Sequence, residues 1–331
     1  MFRGLTSFLR SGPRFLIVRH RNYKTRFFDV IVDWVKVAFP EYHPLFELRV
    51  LPCKFVRWSD VVLHLPWLQD PVQQWSLEAY EQANRLAAEC DRRGIPIVNR
   101  VDRLLNATKS VGAQLMAEAG IRTPRMAPIH DGAEFKETLL GMTPPLFVRE
   151  DWGHGGYSYR IDKREDALRI PFETLARPVA IELIDVRDRR DGLYRKYRYI
   201  AAGNEGVSLH LHVSTDWIVR GTDRLKNDMT RGEELSYISE QDPNHQLLQR
   251  AHRALGLDFA AFDYSYDHQG RVVVWEANPF PYLHFSKGPM VYRNVAVNRT
   301  LRAILRMYLQ CASISVPDRM AQPYDAQAYS P

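Results

Sequence analysis

The sequence lacks the features that mark several classes of protein. Its three cysteines, Cys53, Cys90 and Cys311, are odd in number and show no Cys-x-x-Cys spacing. This usage fits structural thiols in a reducing compartment rather than a disulfide framework. No apolar run approaches the roughly 20 residues that a membrane-spanning helix needs. A globular protein that does not span a membrane is therefore expected.

The net charge of +6 is compatible with anionic ligands. Lysines and arginines are interspersed with acids over most of the length, and the basic N-terminus lacks the interleaved aromatics of a recognised nucleic-acid module. A nucleic-acid partner is therefore not predicted. With 331 residues, 45% of them hydrophobic, the chain is long enough for two or three domains.

The N-terminal segment supports two interpretations. The first 28 residues carry seven lysines and arginines and no acid before Asp29, a composition that mitochondrial transit peptides share. The same segment contains RFLIVRH, typical of a buried strand, followed by FFDVIVDWVKVAF, typical of a helix. We favour a structured start and a cytoplasmic protein, with a mitochondrial location as the alternative.

The pattern of elements predicts an α/β protein. Residues 1–98 alternate apolar strands with helices, which favours a parallel α/β domain. Residues 99–180 carry a helix that closes on Gly120 and the strands PLFVRED and SYRI. Residues 181–312 carry further strands, of which WIVRG is the last before the hairpin, and an amphipathic helix at 291–312. That helix packs on its own core or on a second subunit, so an oligomer is possible. Residues 313–331 are predicted to be a disordered tail.

A predicted hairpin supplies three oxygen donors. The strands LDFAAFDYSY and RVVVWEANPF flank the turn YDHQG, and Asp263 lies 13 residues before Glu276, roughly opposite it. Glu276 and Asn278 share parity, so both side chains point to one face. Carboxylate and amide oxygens suit Mg²⁺, although a solvated strand end would have the same sequence.

A glycine-rich turn, WGHGGYS, joins the strands PLFVRED and SYRI. A strand–glycine loop–strand unit differs from the strand–loop–helix of a Walker A or dinucleotide site. This unit, the lysine helix before it and the Asp…Glu-x-Asn hairpin after it resemble the ATP-grasp superfamily, and its peptide ligases in particular, over about residues 95–285. The resemblance implies an ATP-grasp fold after an N-terminal parallel α/β domain, with ATP and Mg²⁺ (or Mn²⁺) as cofactors.

The resemblance assigns roles to residues around the phosphates. Lys109 and Arg149 would contact the phosphates, with Arg149 standing where the family usually has lysine, and Gly153, Gly155 and Gly156 would form a lid over them. Lys109 could instead be an exposed helix lysine, and Arg149 could pair with Glu150 or Asp151.

Further residues are assigned to the nucleoside and to catalysis. Glu182, Leu183 and Ile184 match the segment that reads adenine, and Asp185 is a weaker candidate for the ribose. Arg198 matches the family arginine that would stabilise the developing oxyanion. Lys196 shares the strand face of Arg198, and two cations on one face favour a triphosphate or acyl-phosphate site over simple packing.

Two segments are less specific. His210 and His212 alternate with apolar residues in VSLHLHVS; zinc binding lacks a third ligand, and an ordinary half-exposed strand or a substrate contact is favoured. After Asn278, Tyr282, His284 and Phe285 replace the small residues that contact the acceptor in ligases of the family, so the acceptor pocket is expected to differ.

Three functions remain open. The leading hypothesis is an ATP-dependent ligase that activates a small-molecule carboxylate as an acyl phosphate for attack by an amine or a thiol, a reaction that needs no nucleophilic triad. The alternatives are an ATP-grasp small-molecule kinase and a non-catalytic ATP-binding module, which the arginine at position 149 would favour.

Overall fold

The structure is a computed structural model that describes residues 12–20, 26–54, 56–69, 72–131, 134–135, 137, 141–152, 157–219 and 221–321. The predicted glycine lid, Gly153, Gly155 and Gly156, lies outside the described residues. Among the helices that are described, none has the length and apolar character required to cross a membrane.

The N-terminal region is a parallel α/β layer, as predicted. Its elements are β1 (Arg14–His20), α1 (Arg26–Ala38), β2 (Phe46–Leu51), β3 (Val61–Pro66), α2 (Val72–Trp75) and α3 (Leu77–Arg93), with a short 3-10 helix at His43–Leu45. The strands pair in the order β2-β1-β3. Phe15 to Val18 are almost completely buried because both faces of a central parallel strand are covered.

The helix predicted after residue 99 is broken in two. A 3-10 helix spans Val101–Ala107 and α4 spans Lys109–Glu118, with Thr108 extended between them. Asp151 causes the second start: its carboxylate accepts hydrogen bonds from Ser110 N and Ser110 Oγ, both at 2.7 Å. A carboxylate at a helix N-terminus satisfies a backbone N–H that has no partner within the helix.

The middle sheet is small and antiparallel. It contains β4 (Met126–Pro128), β5 (Leu146–Glu150), β6 (Ser158–Ile161) and β7 (Pro178–Glu182) in the order β4-β7-β5-β6. Short 3-10 helices at Arg164–Arg169 and Phe172–Thr174 connect β6 to β7. A compact apolar cluster that includes Leu146, Val148 and Ile161 supports this sheet.

The third sheet carries the predicted metal hairpin. Its order is β11-β10-β8-β9, formed by β8 (Tyr194–Ala202), β9 (Glu205–Ser214), β10 (Phe259–Tyr266) and β11 (Val272–Asn278). Two helices, α5 (Asp228–Ser239) and α6 (His245–Leu255), separate β9 from β10. The sequence did not predict α5, and the strand expected at WIVRG is absent from its described residues 217–219 and 221.

The C-terminal helix packs on the core of its own chain. A 3-10 helix at Gly288–Arg293 precedes α7 (Asn294–Cys311), so the helix starts later than the predicted Val291, which is 51% exposed. Trp34 Nε1 donates to Asn298 Oδ1 at 2.8 Å in a core that α7 shares with the N-terminal layer. Residues 313–321 also differ from the predicted disorder: α8 (Asp318–Ala321) follows, and Met320 is buried.

Candidate active site

A row of polar side chains crosses the third sheet. Residue pairing across β11, β10, β8 and β9 places Glu276 opposite Asp263, Asp263 opposite Arg198, and Arg198 opposite His210. Directly paired residues project from the same face of a sheet, within side-chain contact. The expected pairing of Asp263 with Glu276 is thus present, and the predicted arginine lies next to it.

Asp263 lies between two cations. Arg198 donates from Nε to Oδ1 at 2.6 Å and from Nη2 to Oδ2 at 2.8 Å, while Lys196 Nζ lies 3.3 Å from Oδ2. Burial raises the pKa of the Asp263 carboxyl, but the charges of Arg198 and Lys196 outweigh it and leave the pKa below its usual value. The carboxylate of Asp263 therefore balances the two cations that were expected to hold a triphosphate or an acyl phosphate.

The oxygen donors fit a hard divalent ion. Asp263 and Glu276 face each other, and Asn278, two residues along β11, has a buried amide whose Oδ1 accepts from Phe280 N at 2.7 Å. Among the described residues no three His, Cys, Asp or Glu side chains cluster as a metal site. A metal would therefore rest on two carboxylates and an amide, a set typical of Mg²⁺. Within the described part of the chain, the zinc interpretation of His210 and His212 gains no third ligand.

A cavity of about 280 Å³ lies between the middle and third sheets. Seven of the predicted site residues line it: Lys109, Arg149, Leu183, Ile184, Asp185, Asp263 and Glu276. Apolar side chains on its walls, including Met126, Phe147 and Ile181, form a surface suited to a flat aromatic ring. Glu182, Arg198 and Asn278 are not among its lining residues, although Arg198 bonds to Asp263 at its edge.

Lys109 is a buried lysine, not an exposed one. It is the first residue of α4, is 5% exposed, and donates from Nζ to the backbone oxygen of Asp151 at 3.1 Å. The acids near Arg149 have other partners: Glu150 accepts from Ala176 N and Arg177 N, and Asp151 accepts from Ser110. These contacts join the end of β5 to α4 and place both cations on the cavity wall.

The segment predicted to read the nucleoside is already partly engaged. Glu182 Oε2 accepts from Arg125 N at 3.0 Å, and Leu183 N donates to Pro145 O at 3.1 Å. Asp185 accepts from Arg187 N at 2.9 Å and lies 3.1 Å from His268 Nε2. The backbone N–H of Leu183 is therefore committed to the sheet, whereas Ile184 follows it on the cavity wall.

Sequence reasoning missed several residues of this cavity. Trp217 follows β9 and packs with its ring centroid 5.3 Å from that of Phe147 and 5.6 Å from the Arg160 guanidinium carbon. Trp275 and Arg187 also line the cavity. The sequence feature that could have revealed them was the apolar segment WIV in an otherwise polar loop. It was interpreted as a strand, whereas its side chains line the cavity.

Comparisons with known proteins identify the fold. The structure matches a D-alanine–D-alanine ligase from Bacillus anthracis complexed with ATP, with a TM-score of 0.57 and 12% identity over 91% of this chain and 98% of that one. It also matches the VanG D-Ala:D-Ser ligase of Enterococcus faecalis, with a TM-score of 0.54 and 13% identity over 90% and 100% of the two chains.

A third match is a RimK domain ATP-grasp protein from Sphaerobacter thermophilus, with a TM-score of 0.55 and 15% identity over 89% and 99% of the chains. No protein-family model and no curated protein sequence matches this chain. The chain therefore has the ATP-grasp fold, as the order of its motifs predicted.

Proposed function

We propose that this protein is an ATP- and Mg²⁺-dependent ligase that activates a small-molecule carboxylate as an acyl phosphate for attack by an amine. The observation that carries the proposal is the row formed by Glu276, Asp263 and Arg198 beside a cavity that also holds Lys109 and Arg149. The ATP-grasp fold supports it, because the solved structures of this shape include ligases.

The cavity is lined by both apolar and charged side chains. The adenine would lie against Met126, Phe147 and Ile181, and its phosphates would point to Lys109 and Arg149. Arginine chelates phosphate oxygens in pairs, whereas lysine acts as a point charge. Asp263, Glu276 and Asn278 would hold Mg²⁺, which supplies neutralisation of charge on the β- and γ-phosphates.

In this arrangement Arg198 could bind either Asp263 or the substrate carboxylate. Asp263 uses both of its oxygens to accept from Arg198, and the same oxygens are needed as metal ligands. A metal held by Asp263 would therefore compete with Arg198 for this carboxylate, and Arg198 would then be available to the substrate carboxylate. There Arg198 would stabilise the negative charge that develops when the amine attacks the acyl phosphate. Lys196, 3.3 Å from Asp263, keeps the buried carboxylate paired.

Trapping the acyl phosphate tests the proposal. Incubation with ATP, Mg²⁺, hydroxylamine and a panel of amino acids and other small carboxylates should yield ADP together with a hydroxamate for the true substrate. ADP with a phosphorylated product that resists hydroxylamine would instead indicate a kinase. Tight ATP binding without turnover of any panel member would indicate the non-catalytic module.

Glu276→Gln tests the site itself. Loss of one metal-binding carboxylate removes several kcal/mol of charge stabilisation, so Mg²⁺-dependent ADP formation should fall at least about 100-fold. The matched control is Glu173→Gln, an exposed acid in the 3-10 helix Phe172–Thr174, which should keep wild-type turnover. Normal activity in Glu276→Gln would contradict the site assignment.

A further inference from the structure

A second cavity, of about 180 Å³, lies beside the edge strand β9. We call it the edge pocket. Its lining includes more cations than acids: Arg224, Lys226, Arg231 and Arg293 against Asp228 and Glu234. None of these residues belongs to the ATP cavity. A small cavity with a surplus of positive charge concentrates anions.

One of its acids is fully engaged by the protein. Glu234 is 2% exposed and accepts from Arg293 Nη2 at 2.7 Å, from Tyr292 Oη at 2.5 Å and from Leu211 N at 3.2 Å. Asp228 is exposed at the first turn of α5. Among the described residues the ion pair of Glu234 is with Arg293, and Arg224 feels the charge of Glu234 only from a greater distance. Arg293 is thus matched directly, and Arg224 is matched only in part.

The side chain of Arg224 rests on a neutral histidine. Its Nη1 lies 3.2 Å from His212 Nε2, and because arginine only donates, His212 must accept there and carry its proton on Nδ1. His212 Nδ1 and Arg224 Nε are both buried without a hydrogen-bond partner among the described residues. Burial, followed by the charge of Arg293, lowers the pKa of Arg224, and the attraction of Glu234 offsets only part of this. A half-buried cation that has no acid in direct ion-pair contact is costly, and a bound anion would offset that cost.

The edge pocket is close to the candidate active site. His212 pairs across the strands with Lys196, which lies 3.3 Å from Asp263. Pro289 and Met290, from the segment that follows the metal hairpin, line the pocket. This is the segment where the sequence departs from other ATP-grasp ligases. One chain of contacts, from Asp263 through Lys196 and His212 to Arg224, therefore joins the reacting centre to the pocket.

We propose that the edge pocket binds a negatively charged group of the substrate, with Arg224 as its main contact and His212 as the residue that positions Arg224. The substrate would then carry a carboxylate or phosphate in addition to the carboxylate that is activated. This inference rests on the proposed ligase function for its meaning, but the pocket can be tested without turnover.

Direct binding is the first test. Isothermal titration, with and without MgADP, compares three ligands that carry two anionic groups, glutarate, glutamate and 3-phosphoglycerate, with their matches that carry one, butyrate, glutamine and glycerate. Wild-type protein should bind at least one ligand with two anionic groups at least 10-fold more tightly than its match with one. Arg224→Gln should remove that preference, Arg224→Lys should retain part of it, and Arg250→Gln, an exposed arginine on α6, should leave it unchanged.

Each outcome decides between the two proposals. Equal affinity for both charge classes, no binding by any ligand, or a preference that survives Arg224→Gln would overturn the edge-pocket inference. Should Arg224→Gln fail to fold, the exposed Lys226→Gln tests the same pocket and should weaken the preference. Selective binding without hydroxamate formation from any ligand would retain the pocket and reject the ligase. Hydroxamate formation without a charge preference in binding would retain the ligase and reject the edge-pocket inference.

Discussion

Two charge clusters on strand β8 differ in the balance of their charges. Arg195 donates to Asp191 at 2.7 and 3.0 Å, to Glu233 at 2.8 Å and to Asp188 at 3.1 Å, so several carboxylates surround one buried arginine. Three residues along β8 from Arg195, Arg198 and the neighbouring Lys196 together hold one carboxylate, that of Asp263 on β10.

The difference separates a structural cluster from a reactive one. The buried cation of the Arg195 cluster is already paired with three carboxylates of the protein, so it does not require a further anion. The Asp263 cluster has more positive than negative charge before Glu276 is counted, so it can accept metal, phosphate or carboxylate by exchanging partners. Removal of a residue should therefore damage stability in the first cluster and turnover in the second.

Arg198→Met should give the largest effect. Loss of a preorganised donor to a developing oxyanion costs about 10²- to 10³-fold in turnover, and Lys196 remains to pair with Asp263. Hydroxamate formation under saturating ATP measures the loss, and Arg198→Lys should recover part of it. A turnover near wild type in Arg198→Met would show that the guanidinium serves only to hold Asp263.

Arg195→Met should act on stability. The substitution leaves Asp191 and Glu233 without their shared cation and should lower the free energy of unfolding by about 3 kcal/mol. Urea denaturation measures this change. Arg190→Met is the matched control. Arg190 also forms an ion pair with Asp188, but its side chain is 70% exposed, so the substitution should lower the free energy of unfolding by less than about 1 kcal/mol. Equal losses in the two variants would break the distinction between the clusters.

A smaller effect concerns pH. Burial and the neighbouring Lys196 and Arg293 lower the pKa of His212 to about 2, whereas an unfolded histidine titrates near 6.5. The unfolded chain therefore takes up a proton at this histidine below about pH 6.5 that the folded chain does not, and His212 alone should lower stability by about 2 kcal/mol from pH 7 to pH 5.

Urea unfolding of His212→Gln at both pH values checks this expectation, because the variant should lose that part of the decrease. Asp191→Asn is the comparison. Hydrogen bonds from Arg195 lower the pKa of Asp191 to about 2. The contribution of Asp191 to the free energy of unfolding is therefore complete above about pH 4 and is lost only as the pH falls towards 2. Asp191→Asn should therefore keep the wild-type slope between pH 7 and 5, and an unchanged slope in His212→Gln would contradict the prediction.

Local sequence patterns predicted much of the third sheet and its hairpin. The pairing of Asp263 with Glu276 followed from the turn between two apolar strands, and the position of Arg198 followed from the resemblance to ATP-grasp proteins. Such features depend on residues close together along the chain, or on an order of motifs that can be matched.

Contacts between distant segments could not be predicted. The break at Thr108 depends on Asp151, which follows β5 and is distant along the chain, and the contact of Arg224 with His212 depends on how the loop after β9 folds back. The face of β9 that carries His212 was expected to be half exposed, yet His212 is 8% exposed because other elements cover it. Alternation shows that a strand has two faces but not what covers each of them.

The core that α7 shares with the N-terminal layer has a consequence for how the protein is made. Phe15, in the first strand, packs near Tyr308, with ring centroids 6.3 Å apart, and Trp67 Nε1 donates to the hydroxyl of Tyr308 at 3.3 Å. At about 5–20 residues per second of synthesis, the ribosome completes α7 roughly 15–60 s after β1. Throughout that interval the nascent N-terminal layer exposes the apolar surface that α7 will cover. Chaperones that bind apolar surfaces could bind the nascent chain there.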